Sequence, residues 1–231
     1  MAVSGSKDFE PNVAEYVEEA FERCGLEFRT GYDAVTARRS MNFLFADWAN
    51  RGLNRWTIDQ VSQTVVSGVS QYPVGTITAT VDVQSTIDIL SAVVRRSGSD
   101  ISISRVSRDG YLSIPTKSST GRPIQFYVDR VISPVVKVWP TPDNSTDVII
   151  YDRLVRIDDA DASANTVGIP FRFYPCLAAG LAYYLSLKRA PDRTPMLKGI
   201  YEEEFLRASE EDRDRASFRV VPSYSYLSAT S

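Results

Sequence analysis

The chain has 231 residues, 43% of them hydrophobic and 11% aromatic, with a formal net charge of −3 and no histidine. That is enough apolar material for one large domain or two small ones around a packed core, and it excludes an intrinsically disordered chain. The balanced charge, with no basic block, speaks against a nucleic-acid-binding module, and the missing histidine removes the commonest general base, metal ligand and triad member.

Chemistry-bearing motifs are sparse. There is no CxxC, no P-loop, no GxGxxG and no GxSxG, so no catalytic, cofactor-binding or metal-binding residue is expected, and no cofactor. Cys24 and Cys176 are far apart in sequence on helix-like segments and read as small buried apolar residues in a reducing compartment. Residues 1–12, MAVSGSKDFEPN, lack the apolar core of a signal peptide, and no later run is long and apolar enough to span a bilayer. The expected place of synthesis and storage is cytosol, until the chain is built into something larger.

Residues 11–24 read as a first helix. Pro11 stands near its start, Val13, Tyr16, Val17, Ala20, Phe21 and Cys24 share one side, four glutamates fill the other, and Gly25 ends it. After a short link, residues 33–51 read as a second helix, with Val35, Met41, Leu44, Phe45 and Trp48 on its apolar side and Gly52 closing it. Two helices so connected form an antiparallel hairpin whose apolar faces need a further cover.

From Trp56 the pattern turns to alternation. Residues 59–66 read as a strand, with Ser67-Gly68 as the turn to a partner over 69–74. Residues 86–96 make a long strand, and Ser97-Gly98-Ser99 followed by Ile101 and Ile103 marks a hairpin, because glycine supplies the positive φ of a tight turn. A short helical turn is expected at 108–112, then strands at 124–130, 135–139 and 147–153, separated by Pro, Asp, Asn and Ser. Six or seven strands with no long helix between them predict an antiparallel sheet, as a small sandwich or an open barrel. Arg122-Pro123 and Trp139-Pro140-Thr141-Pro142 are either turn residues that position strands or loops that touch a partner.

Helices return with FRFYPCLAAGLAYYLSLKRA at 171–190, apolar on nearly every side and so enclosed by protein. A second run from Thr194 begins with a cap-then-proline signal, and keeps Leu197, Ile200, Tyr201, Phe205 and Ala208 on one face of an otherwise charged helix. The predicted fold class is therefore α+β. N- and C-terminal helix pairs (1–56 and 169–217) form a four-helix bundle, interrupted by an antiparallel β domain (57–168), and an extended C-terminal arm follows (218–231). The arm, FRVVPSYSYLSATS, has no helical period and little charge. Phe218, Val220, Val221, Tyr224, Tyr226 and Leu227 offer apolar anchors to a partner, the alternative being a disordered end. The charged residues Glu203, Glu204, Glu211, Asp214 and Arg215 have two readings. One is a solvated face laced by pairs such as Glu203 with Arg207 and Glu211 with Arg215; the other is a face lining a channel or a subunit interface.

Four stretches taken together carry a family likeness: MNFLFADWANRGLNRWTIDQ at 41–60, KSSTGRPIQFYVDR at 117–130, VWPTPDN at 138–144, and the long run from 177 to 222 that begins LAAGLAYYLSLKRAPDRTP. The pattern resembles the head-to-tail adaptor proteins of short-tailed phages, also described as tail accessory or tail tubular proteins. What the resemblance implies is a structural, non-enzymatic virion protein, assembled in the host cytoplasm and placed at the head–tail junction. It further implies a twelve-subunit ring that binds the portal on one side through its C-terminal arm, receives the tail nozzle on the other, and lets DNA pass without sequence-specific binding. No membrane contact is implied. The alternative from another class is a virion-associated peptidoglycan-degrading enzyme, whose acid and base would have to be carboxylates.

Overall fold

The structure, a computed structural model, describes residues 5–29, 31–52, 55–75 and 80–213, the side chains of 80–82 excepted. Four long helices, α1 (Val13–Arg23), α2 (Tyr32–Arg51), α5 (Tyr174–Arg189) and α6 (Thr194–Glu211), share one apolar core. Two short helices, α3 (Thr80–Ser85) and α4 (Arg108–Leu112), lie within the strand-rich middle.

Helix α1 starts where Asn12 and Glu15 satisfy each other's backbone. Asn12 Oδ1 accepts from Glu15 N at 3.0 Å, and Glu15 Oε2 accepts from Asn12 N at 2.7 Å, a capping box. Two further first-turn donors, Val13 N and Ala14 N, reach the carbonyls of Asn165 and Ser163, each at 3.0 Å. The turn-rich segment before α5 thus completes the start of α1. Gly25 ends that helix at φ +67°, a backbone conformation that favours glycine, and the Arg193 guanidinium lies in the space a Cβ there would take.

Helix α5 is the hub, packing against α1, α2 and α6. Leu177, Leu181, Ala182 and Leu185 are fully enclosed, which is why its sequence shows almost no polar side. At Gly180 a Cβ would lie 2.8 Å from Leu44 Cδ2 and 2.9 Å from Tyr201 Cε2, so the absent side chain lets α2 and α6 close over α5. Arg189 pairs with the buried Asp33 at 2.6 Å near the start of α2, while Phe173, just before α5, packs at a tilt against Trp48 near its end. α2 therefore runs antiparallel to α5. α6 follows α5 through a 3-10 turn at Pro191–Arg193 and also runs back along it, so α2 and α6 run parallel.

Between the helix pairs lie eight strands among the described residues, in two four-stranded sheets. One has the order β1 (Ile58–Thr64), β8 (Val148–Val155), β3 (Thr86–Arg96), β4 (Ser99–Ser102). The other has β2 (Gln71–Pro73), β7 (Val135–Trp139), β6 (Gln125–Asp129), β5 (Ser104–Arg105). Inward residues of both, including Ile89, Val94, Ile149 and Tyr151 from one and Phe126, Val128, Val136 and Val138 from the other, form a second core. This is a sandwich, with its sheets face to face and no closure into a barrel.

The α+β class, the helix order and the 97–98 hairpin agree with expectation, the hairpin turn having φ +53° and +79°. Several details do not. β1 and β2 are not hairpin partners: β1 pairs with β8 and β2 with β7, so the chain changes sheets at 66–70. The Tyr72 hydroxyl fixes that crossing, accepting from Val66 N at 3.0 Å and donating to Val69 O at 2.7 Å. A second crossing follows β4. Ile103 N still donates to Ala92 O, whereas Ser104 N donates to Ile124 O, and the two-residue β5 lies parallel to β6. Such brief strands escape an alternation count, which explains why eight are found where six or seven were expected. Thr194 is already helical, with Arg193 in the cap position; its hydroxyl meets Ser186 Oγ at 3.0 Å. Val35 and Ile200, expected on inner helix faces, are exposed.

Candidate assembly interface

Beyond the cores, the side chains expected to act sit on α6 and after it. Glu203 and Glu204 both pair with Arg207 on the following turn, Glu204 at 2.9 Å, and Glu203 is largely exposed. The expected Glu203–Arg207 pair is therefore present. Glu211 is exposed at the end of the helix. Asp214, Arg215, Phe218, Val220, Val221, Tyr224, Tyr226 and Leu227 lie outside the described residues.

Asp212 is buried at the C-cap of α6. Its Oδ2 accepts from Arg55 N at 2.9 Å, and its Oδ1 takes a charged hydrogen bond from Arg172. The Arg172 guanidinium lies over the Trp56 and Phe173 rings, which are themselves 4.3 Å apart between centroids. One carboxylate thus ties the end of α6 to both strands of backbone that join the helices to the sandwich. A signal was available: an acid at the negative end of a helix is unfavourable unless a cation or donor holds it.

On the inner side of α6, Tyr201 is buried beside Trp48 and Asp47 of α2, and Arg51 of α2 grips Glu202 with two hydrogen bonds of 2.6 and 2.9 Å. The Arg51 guanidinium holds the Glu202 carboxyl below the usual carboxylate range, and Glu202 pushes the Arg51 pKa up in return. The α6 glutamates therefore divide. Glu202 fastens the helix inward, while Glu203 faces out.

The loops with TGRP and WPTP are packed on one another. Gly121 N donates to Thr141 O at 2.9 Å, and Thr141 N to Ser119 O at 2.8 Å. Trp139 Nε1 donates to Thr116 O at 3.0 Å. These backbone groups and the Trp139 indole position one another, as turn residues do, while Arg122 Nε is buried without a hydrogen-bond partner among the described residues. Cys24 and Cys176 are both free and buried, Cys24 donating to Ala182 O at 3.3 Å. Among the described residues no group of three or more His, Cys, Asp or Glu is placed to hold a metal, and no helix is long and apolar enough to cross a membrane.

The model of the SU10 adaptor protein family matches residues 16–223, and the chain belongs to that family. It is a structural adaptor protein of phage, and the resemblance to head-to-tail adaptors holds at that level. No curated protein matches the chain. Among solved structures, a chain described as the neck of an empty GTA particle, computed with C6 symmetry, is similar at 11% identity and a TM-score of 0.28. That match covers 93% of this chain and 97% of that one.

Proposed function

We propose that copies of this chain, about twelve, close head to tail into a ring between the phage portal and the tail, leaving a central passage for DNA. The observation that carries this reading is a family match spanning nearly the whole chain, both helical pairs and the sandwich together. Residues 218–231 are the arm that reaches the portal. The Asp212 clasp supports this, because it fixes the point from which the following chain departs. Glu203, Glu204 and Glu211, with Asp214 and Arg215, belong to a face that meets a neighbouring copy or borders the passage, where carboxylates keep phosphates from adhering.

Deleting residues 218–231 tests the arm. The truncated chain is expected to stay folded and soluble and to fail to join portal-bearing heads. Incorporation at the full-length level would refute the arm. The enzymatic alternative gains no support from the electrostatics: Asp100, Asp129, Asp147, Asp161 and Glu202 are all held below the usual carboxylate range by hydrogen-bonding partners. A glycosidase acid needs the opposite displacement. Purified chain is expected to leave peptidoglycan intact in a clearing assay.

A further inference from the structure

Two helices of the bundle carry a second stripe on the side away from the core. On α2, residues 32, 35, 39, 43 and 46 recur at helical spacing and are all exposed, with Tyr32 76% and Phe43 58% accessible. On α6, residues 196, 199, 203, 206 and 210 do the same, with Met196 57% and Leu206 56% accessible. Large apolar side chains at such positions have no role in this chain's own core. Gly199 is equally unexplained within the chain, since a Cβ there would meet nothing within 4 Å.

The stripes differ in charge. That of α2 is cationic: Arg39 is exposed and no described carboxylate pairs with it, and with burial it depresses the pKa of Lys188 nearby. The acids of α2, Asp33 and Asp47, are turned inward onto Arg189 and onto Tyr201 and Arg51. That of α6 is anionic, with Glu203 and Glu210 on the stripe and Arg207 taken up by its own glutamates.

We infer that the outer stripe of α2 in one copy docks on the outer stripe of α6 in the next, the two helices running parallel, with Arg39 opposite Glu203. The direction follows from symmetry. Within one chain α2 and α6 are parallel, since Asp47 meets Tyr201 and Arg55 meets Asp212 further along both. A ring of about twelve copies turns each neighbour by only about 30°, so helices parallel within a copy stay nearly parallel between copies. With Arg39 set at Glu203, helical spacing places Tyr32 by Met196, Val35 by Gly199 and Phe43 by Leu206. Large side chains then face small or apolar ones, and Arg39 faces a carboxylate. Two different faces of the chain meet, which is what a closed head-to-tail ring requires and a two-fold dimer does not.

The inference rests on the ring reading, and a cysteine cross-link separates the two. The native thiols are buried, so introduced ones are the accessible pair. Full-length chain carrying Phe43→Cys and Leu206→Cys, assembled onto portal-bearing heads and mildly oxidised, is expected to run as a ladder of multimers on a non-reducing gel. Chain carrying Tyr32→Cys and Glu210→Cys, which only antiparallel docking would join, is expected to stay monomeric there. Arg39→Glu and Glu203→Arg are each expected to lower assembly at least tenfold, and the double variant to recover most of it. Circular dichroism of each variant monitors the fold. Rings visible by electron microscopy without the first ladder, or with the second, would overturn the docking and leave the ring intact. Absence of any ring on assembled heads would overturn both.

Discussion

Trp48 Nε1 on α2 donates to the hydroxyl of Tyr201 on α6 at 3.0 Å, and both side chains are fully buried. The same hydroxyl donates to Asp47 Oδ2 at 2.9 Å. Burial, and then the bond to Asp47, push the phenol well above its ordinary pKa, so it remains a neutral donor and acceptor. Tyr201→Phe strands the indole N–H in a dry core, and a buried donor left without its acceptor costs about 1–3 kcal/mol. The unfolding free energy from denaturant titration should fall by that amount with the far-ultraviolet spectrum unchanged; an unchanged value would show that the bond contributes nothing.

Gly180 and Gly199 should respond to alanine in opposite directions. At Gly180 the added methyl would press on Leu44 and Tyr201 at under 3 Å. Overpacking of about 1–3 kcal/mol should then exceed the helix-propensity gain of about 1 kcal/mol. At Gly199 the space is open, and only the gain remains, about 0.5–1 kcal/mol. Thermal unfolding of the two variants beside the parent checks both signs.

Asp147 is buried in the sandwich; its carboxylate accepts from Arg96 Nε at 2.8 Å, and its backbone N–H donates to Asn144 Oδ1 of its own loop at 2.9 Å. Arg96 holds its carboxyl below the ordinary range. A carboxylate with a depressed folded pKa stabilises above its unfolded value, near 3.9, and that contribution disappears as pH falls through the lower folded value. Asp147→Asn should therefore cost stability at pH 7, and the deficit should shrink below about pH 4 as the parent loses the same interaction. Urea titrations at both pH values test this, and a deficit constant with pH would contradict it.

The two thiols should be silent in the native state. Burial raises the pKa of both Cys24 and Cys176, so neither presents a thiolate at neutral pH. A thiol-specific colorimetric reagent should find less than a tenth of one equivalent in buffer within minutes, and two in denaturant. Rapid native reaction at either would place that helix at the surface.

Some of this molecule is local and therefore readable in the chain. Helices α1, α2 and α6 announce themselves by three-and-four spacing, α1 and α2 also by Gly25 and Gly52, and the β3–β4 hairpin by Ser97-Gly98. Near-continuous apolarity from Tyr174 to Leu187 gives α5 away as the enclosed helix. These signals depend on backbone geometry and on which side of one element avoids water, both properties of a short window of residues.

The rest required the packed chain. Periodicity finds Met41, Leu44 and Trp48 on the inner side of α2 but groups Val35 with them, and the structure leaves Val35, like Phe43, outside. Nor can periodicity show that the chain changes sheets twice, since a strand's partner is set by contacts distant in sequence. Asp212, Glu202 and Glu203 are alike as letters; one is a buried clasp, one an inward anchor to Arg51, one an outward charge. Sequence determined the elements and the family because both are written in local pattern and residue order. Tertiary structure alone decided which charges are spent inside and which are left to meet another molecule, because a carboxylate's role depends on the neighbours that folding brings to it.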